Sequence, residues 1–210
     1  MRFRSLSPLA LCPALVCLAL LAAPAPSQAQ GCLPDCFGDA FGPLQNTVLT
    51  LGPGCQVQVT YSTRLACGTW HDLYIEYIQS VPTPPSSLCQ GYFAMDSKDL
   101  LGLVTLEMFK DNPMGFPQTV PGCTTNWRVV KGTCWFTATD PMTGRHSASY
   151  CDGSVCCLEA VELCQDECGN ETCFDIKGGT IPPSACENQG PEPGLCTVAC
   201  GDVDWDTDGC

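Results

Sequence analysis

This chain of 210 residues has few basic side chains, almost no imidazoles and no metal-type cysteine spacing. Nine Lys and Arg face 22 Asp and Glu, a formal charge of −13. No basic stripe is available to neutralise phosphate groups, so nucleic acid is not expected as a partner. No C-x-x-C occurs, which argues against the common zinc sites and the thioredoxin-type redox pair. His71 and His146 are the only histidines, and neither adjoins a G-x-S-x-G nucleophile elbow. Beyond the first 29 residues no apolar run is long enough for a bilayer core, so membrane insertion is not expected.

Cysteine, by contrast, is abundant: 19 residues in all. Arg2 and Arg4 form a positive n-region, Leu9 to Ala23 an apolar h-region, and Ser27-Gln28-Ala29 a small-residue cleavage site. The reading is a signal peptide over 1–29, cut near Ala29, and a secreted, extracellular product. The residues before Cys32, Ala29-Gln30-Gly31, do not suit lipid attachment. Without Arg2, Arg4, Cys12 and Cys17, the remaining 181 residues hold 17 cysteines and a charge of −15. That cysteine density implies a disulfide framework. Seventeen is odd, so one thiol is left free or joins another chain, and Cys210 at the terminus is the candidate.

Residues 30–122 contain five cysteines and the longer apolar runs; residues 123–210 contain twelve cysteines and most of the acid. A β-rich N-terminal part and a cysteine-dense C-terminal part are expected, continuous or separate, with a boundary near Pro117 to Pro121. Cys55, Val57, Val59 and Tyr61 alternate with polar residues and define a half-buried strand, and Leu73 to Ile78 reads as a second. Leu100, Leu103, Val104 and Met108 share one face of a helix from Ser97 to Asp111, with Asp96 or Ser97 as cap and Asn112-Pro113 as stop. Thr133–Thr139 and Arg145–Cys151 flank the turn Asp140–Gly144, a hairpin signature in which Cys134 and Cys151 come opposite and form a candidate bridge. Cys156 to Cys168 fits a helix or a strand turning at Gly169-Asn170. The fold class expected is mainly β and disulfide-rich, with one or two short helices and an irregular, stapled C-terminal part.

One short motif points to a ligand. Asp204, Asp206 and Asp208, followed by Gly209, alternate as oxygen ligands do at the start of a calcium loop, and Asp202 extends the series. The run resembles the opening half of the loops in EF-hand, dockerin and thrombospondin type 3 modules, and that resemblance implies calcium. The chain ends at Cys210, so the carboxylate of loop position 12 must come from elsewhere. The vicinal pair Cys156-Cys157 is similar to one in secreted phospholipases A2, but Ala160 stands where their catalytic histidine would be. Asn170-Glu171-Thr172 is a glycosylation sequon. Glu76 is the carboxylate to inspect for burial. Trp70, Tyr74, Tyr77, Trp127 and Trp135 offer either core packing or a sugar platform.

The function expected is non-catalytic: an extracellular structural, matrix or adhesion-type protein, calcium-assisted, with self-association or an extracellular protein or glycan as partner. A small secreted hydrolase using carboxylates is the alternative, and a secreted inhibitor or toxin-like binder a further one. Open strand edges with a free cysteine favour assembly. Two carboxylates converging in a cleft favour the hydrolase, and one exposed rigid bridged loop the inhibitor.

Overall fold

A computed structural model describes residues 39–81, 88–151, 156–179, 181–187 and 195–204. Among these residues ten strands and two α-helices follow one another as β1 (Gln45–Gly52), β2 (Cys55–Ala66), β3 (Trp70–Ser80), α1 (Gln90–Phe93), α2 (Ser97–Asp111), β4 (Gly122–Gly132), β5 (Cys134–Thr139), β6 (His146–Tyr150), β7 (Cys156–Gln165), β8 (Glu171–Lys177), β9 (Thr197–Val198) and β10 (Val203–Asp204). The protein is mainly β, and its described residues fall in one compact unit. Among the described residues no helix is long and apolar enough to cross a membrane.

All strands belong to one sheet that forks at β3. On one side β3 pairs with β2, and β2 with β1. On the other side it pairs in parallel with β4 over Asp72–Arg128 and its neighbours, then antiparallel with β6 from Tyr77 to Gln79. One arm therefore runs β4–β7–β8–β10 and the other β6–β5–β9. The chain passes between arms at Lys131–Cys134, where β4 ends and β5 begins.

The alternation in β2 is obeyed: Cys55, Val57, Val59 and Tyr61 are all buried. Helix α2 lies over that apolar face. Asp96 caps it by accepting the Lys98 N–H at 2.9 Å, and Asn112 ends it in the left-handed conformation. Its buried surface is wider than the sequence stripe. Leu101, Thr105, Leu106 and Phe109 are buried as well, while Leu103 is half-buried. Phe109 stacks on the fully buried Trp127, centroids 4.6 Å apart. Trp127 and Trp135 are core, not a sugar platform: their indole N–H groups donate to the carbonyls of Pro117 and Gly132.

The ambiguous segment Cys156 to Cys168 is a strand, because β7 fills the place between β4 and β8. The hairpin is also present, with Gly144 at φ +68° closing the turn. Its expected bridge is not. Cys134 and Cys151 lie opposite, but the Cys151 N–H donates to the Cys134 carbonyl at 2.8 Å. That marks the wider type of antiparallel pair. Each sulfur instead bonds to the C-terminal segment, in Cys134–Cys186 and Cys151–Cys196, and the four cysteines form their own buried cluster. Cys123–Cys164 and Cys157–Cys200 also lie within 123–210, and Cys55–Cys89 ties β2 to the start of α1.

Candidate functional site

Strand register alone assembles the first charged cluster. Arg64 of β2 pairs with Asp72 of β3, and Asp72 with Arg128 of β4. The three side chains form a row on the face opposite Leu73. Arg64 Nε donates to Asp72 Oδ2 at 2.7 Å; Arg128 donates through Nε to Oδ1 at 2.7 Å and through a terminal nitrogen to Oδ2 at 3.0 Å. Asp72 is completely buried. Phe41 covers the Arg64 guanidinium at 4.1 Å and Trp70 covers Arg128 at 5.0 Å. Both carboxylate oxygens are engaged in these bonds, so the cluster is a staple across three strands. Glu76, two rows along, is half-buried. The Tyr74 hydroxyl is pushed far above its ordinary pKa, chiefly by burial and then by the hydrogen-bonded Glu76 carboxylate.

A second pair sits on the core face at the fork. Lys131 Nζ lies 2.8 Å from Glu159 Oε2, and both side chains are 0% exposed. Glu159 Oε1 accepts the Gly201 N–H at 2.6 Å, so the pair also holds down the C-terminal segment. Outside it, Asp96, Lys98, Asp99 and Asp202 line an open depression of about 540 Å³ together with Cys200 and Gly201. Two of these carboxylates already have structural partners. Asp96 caps α2, and Asp202 Oδ1 accepts the Gly178 N–H at 2.9 Å.

The histidines serve packing. His71 lies against Phe116, while His146, buried and not at the surface, stacks on Phe93 and meets Thr139 Oγ1 through Nδ1 at 2.9 Å. Of the calcium series, Asp202 is described at the depression, and Asp204 is described only as the backbone partner of Asp175 in β10. Asp206, Asp208 and Cys210 lie outside the described residues, as does the leader.

Thirteen cysteines among the described residues are disulfide-bonded, and one, Cys168, is free and exposed. Cysteine parity signals an odd thiol without locating it. Cys168 stands at the tip of the β7–β8 turn, and that turn is held firmly. Asp166 Oδ1 accepts the N–H groups of Cys168 and Asn170, each at 2.8 Å, and Gly169 adopts φ +78°. The Asn170 side-chain amide donates to Asp166 Oδ2 at 2.9 Å, and this bond foremost, with the backbone ones, keeps the Asp166 carboxyl below its usual pKa.

At the other end of the sheet, β1 pairs with β2 and, among the described residues, with no other strand. Its sequence, QNTVLTLG, has no charge and no proline. Leu49 and Leu51 point into the core, while Asn46, Val48 and Thr50 are exposed on the opposite face, Val48 at 53%. Open strands usually carry lysine, proline or a bulge that blunts pairing with a further chain. The one irregularity in β1 lies at its end, between Thr50 and Gly52.

No protein family matches this chain, and no curated protein or solved structure shows a likeness that carries an argument.

Proposed function

We propose that this is a non-catalytic extracellular protein of the structural, matrix or adhesion type, and that copies of it associate through the open edge of β1. The observation that carries the reading is that edge: eight residues without charge, with unpaired backbone groups along one side among the described residues. In a chain so rich in acid, copies repel one another over much of the surface, and a neutral strand is where they can approach. Two β1 strands related by a two-fold axis run antiparallel, the arrangement already present between β1 and β2. The dense disulfide framework supports an oxidising, extracellular setting.

Sedimentation velocity over a concentration series tests the reading. The disulfide-intact wild type is expected to dimerise as concentration rises. Val48→Lys with Thr50→Lys, both on the exposed face, is expected to weaken the dimer about tenfold or more, or roughly 1.4 kcal/mol. A wild type that stays monomeric throughout, or a variant that dimerises equally well, would refute it. Cys168 adds a covalent route between copies. On a non-reducing gel a reductant-sensitive dimer band is expected, and Cys168→Ser is expected to remove it.

Calcium assistance belongs to the same reading, supported by Asp202 sharing a depression with Asp96 and Asp99. In a thermal melt at ten times a weak dissociation constant, calcium is expected to add about 1–2 kcal/mol. Asp202→Asn is expected to reduce that gain. An equal gain in both proteins would move the binding elsewhere, and no gain in either would remove calcium from the reading.

A further inference from the structure

The Lys131–Glu159 contact is an unusual ion pair. An ammonium has three N–H donors, yet among the described residues Nζ meets no partner beyond the Glu159 carboxylate. Glu159 Oε2 likewise has only the Lys131 amine beside it among the described residues, the two atoms 2.8 Å apart. Both side chains are wholly removed from solvent. A wholly buried ammonium with most of its donors unpartnered is costly. Burial pushes the Lys131 pKa down, against the opposing pull of Glu159, and the nearby Lys98 acts in the same direction as burial.

The surroundings hold the two groups in place. Lys131 and Glu159 belong to adjacent antiparallel strands, two residues out of register on the same face, since Val129 lies opposite Glu159 and Lys131 opposite Cys157. A carboxylate oxygen of Glu159 lies within 4.8 Å of Sγ in both Cys157 and Cys200, which are bonded to each other. A Cβ at Gly178 would fall 2.7 Å from Glu159 Cγ, so the backbone presses on the carboxylate from that side. Oε1 is fixed by the Gly201 N–H, which leaves Oε2 as the oxygen facing the amine.

We propose that Lys131 and Glu159 condense to an intramolecular amide, a covalent cross-link between β4 and β7. The proton of the ammonium passes to Oε2, leaving an amine and a carboxylic acid. The Nζ lone pair then attacks Cδ, and charge develops on Oε1, where the Gly201 N–H donates to it. Nζ gives up a second proton to Oε2, the Cδ–Oε2 bond breaks, and one water departs. No oxidant or reductant is needed, and both charges vanish. Holding the two groups in contact supplies an effective concentration of about 10⁵–10⁸ M for well-oriented reactants, and burial keeps bulk water from reversing the step.

The test is the mass of the full secreted chain after complete reduction and alkylation. The folded protein is expected to be lighter than its residues sum to by one water. A tryptic map is expected to yield one branched peptide joining Lys131 to Glu159, with no cleavage after Lys131. Protein recovered reduced and unfolded should have the full mass and lose one water on refolding. Lys131→Met should keep the full mass, and the wild-type map decides the matter if that variant does not fold. A full-mass folded wild type cleaved after Lys131 would overturn the proposal, as would a water loss mapped to any other residues.

Discussion

Asp72→Ala is expected to destabilise the disulfide-intact protein by about 3–5 kcal/mol, because it removes the fully buried carboxylate that the guanidinium groups of Arg64 and Arg128 share. That is a large share of the 5–15 kcal/mol that ordinarily holds a domain together. The register explains why the loss should be concentrated in one residue. Asp72 lies between Arg64 and Arg128 on the middle of three strands, and its two oxygens accept from both. Removing either arginine should cost less, since the other still pairs with the carboxylate. Replacing all three residues with apolar side chains of similar size should cost less than Asp72→Ala alone. Denaturant unfolding of the four proteins reads these differences. If Asp72→Ala loses less than about 1 kcal/mol, the row is a surface ion-pair set and not a buried staple.

The second large effect is expected at the paired bridges Cys134–Cys186 and Cys151–Cys196. Each closes a long loop, with sequence separations of 52 and 45 residues, and each alone should contribute about 2–4 kcal/mol. Their sulfurs share one buried cluster, so the two losses should not simply add. With all four cysteines replaced by alanine, residues 195–200 keep the two-residue β9, the Ala199 N–H bond to the Thr133 carbonyl and the Cys157–Cys200 bridge to β7. Hydrogen exchange should then open β9 and the β5–β6 hairpin first, while β1, β2 and β3 under α2 stay protected. The apolar cluster beneath α2 draws most of its residues from β1, β2, β3, β4, β7 and β8, with Trp135 of β5 and Ala148 of β6 at its margin, and Cys55–Cys89 is the bridge it contains. Early opening of β1 or β2 would show that the bridges, and not that cluster, hold the N-terminal strands.

The elements that the sequence foretold share one property: their signals are local. Cys55 to Tyr61 alternates because one face of that strand is buried, and every such position is buried in the fold. Ser97 to Asp111 has a cap, an apolar stripe and a stop, and it is a helix over that span. The Asp140–Gly144 turn needs a left-handed residue at its end, and Gly144 supplies it. Cys156 to Cys168 resisted because the buried face of β7 carries Glu159 while Ala160 is exposed, which blurs the apolar period, and its fate was settled by β4 and β8 on either side. The hairpin placed Cys134 opposite Cys151 correctly, yet their bonding depended on Cys186 and Cys196, distant in the chain.

The groups of greatest chemical interest were not legible at all. Arg64, Asp72 and Arg128 look like three ordinary charges until the parallel pairing of β3 with β4 sets them in one row. Lys131 and Glu159 sit in strands whose patterns give no hint of burial, and only the fork and the returning C-terminal segment seal them off. Composition by itself determined the acidic character and the abundance of bridging cysteines, and local patterning determined the β-rich class and the main helix. Among the described residues, tertiary structure alone decided which cysteines join, which thiol stays free, which strand has a single neighbour and which charges are buried. Each of those depends on contacts between residues far apart in the chain, and local pattern carries no information about such contacts.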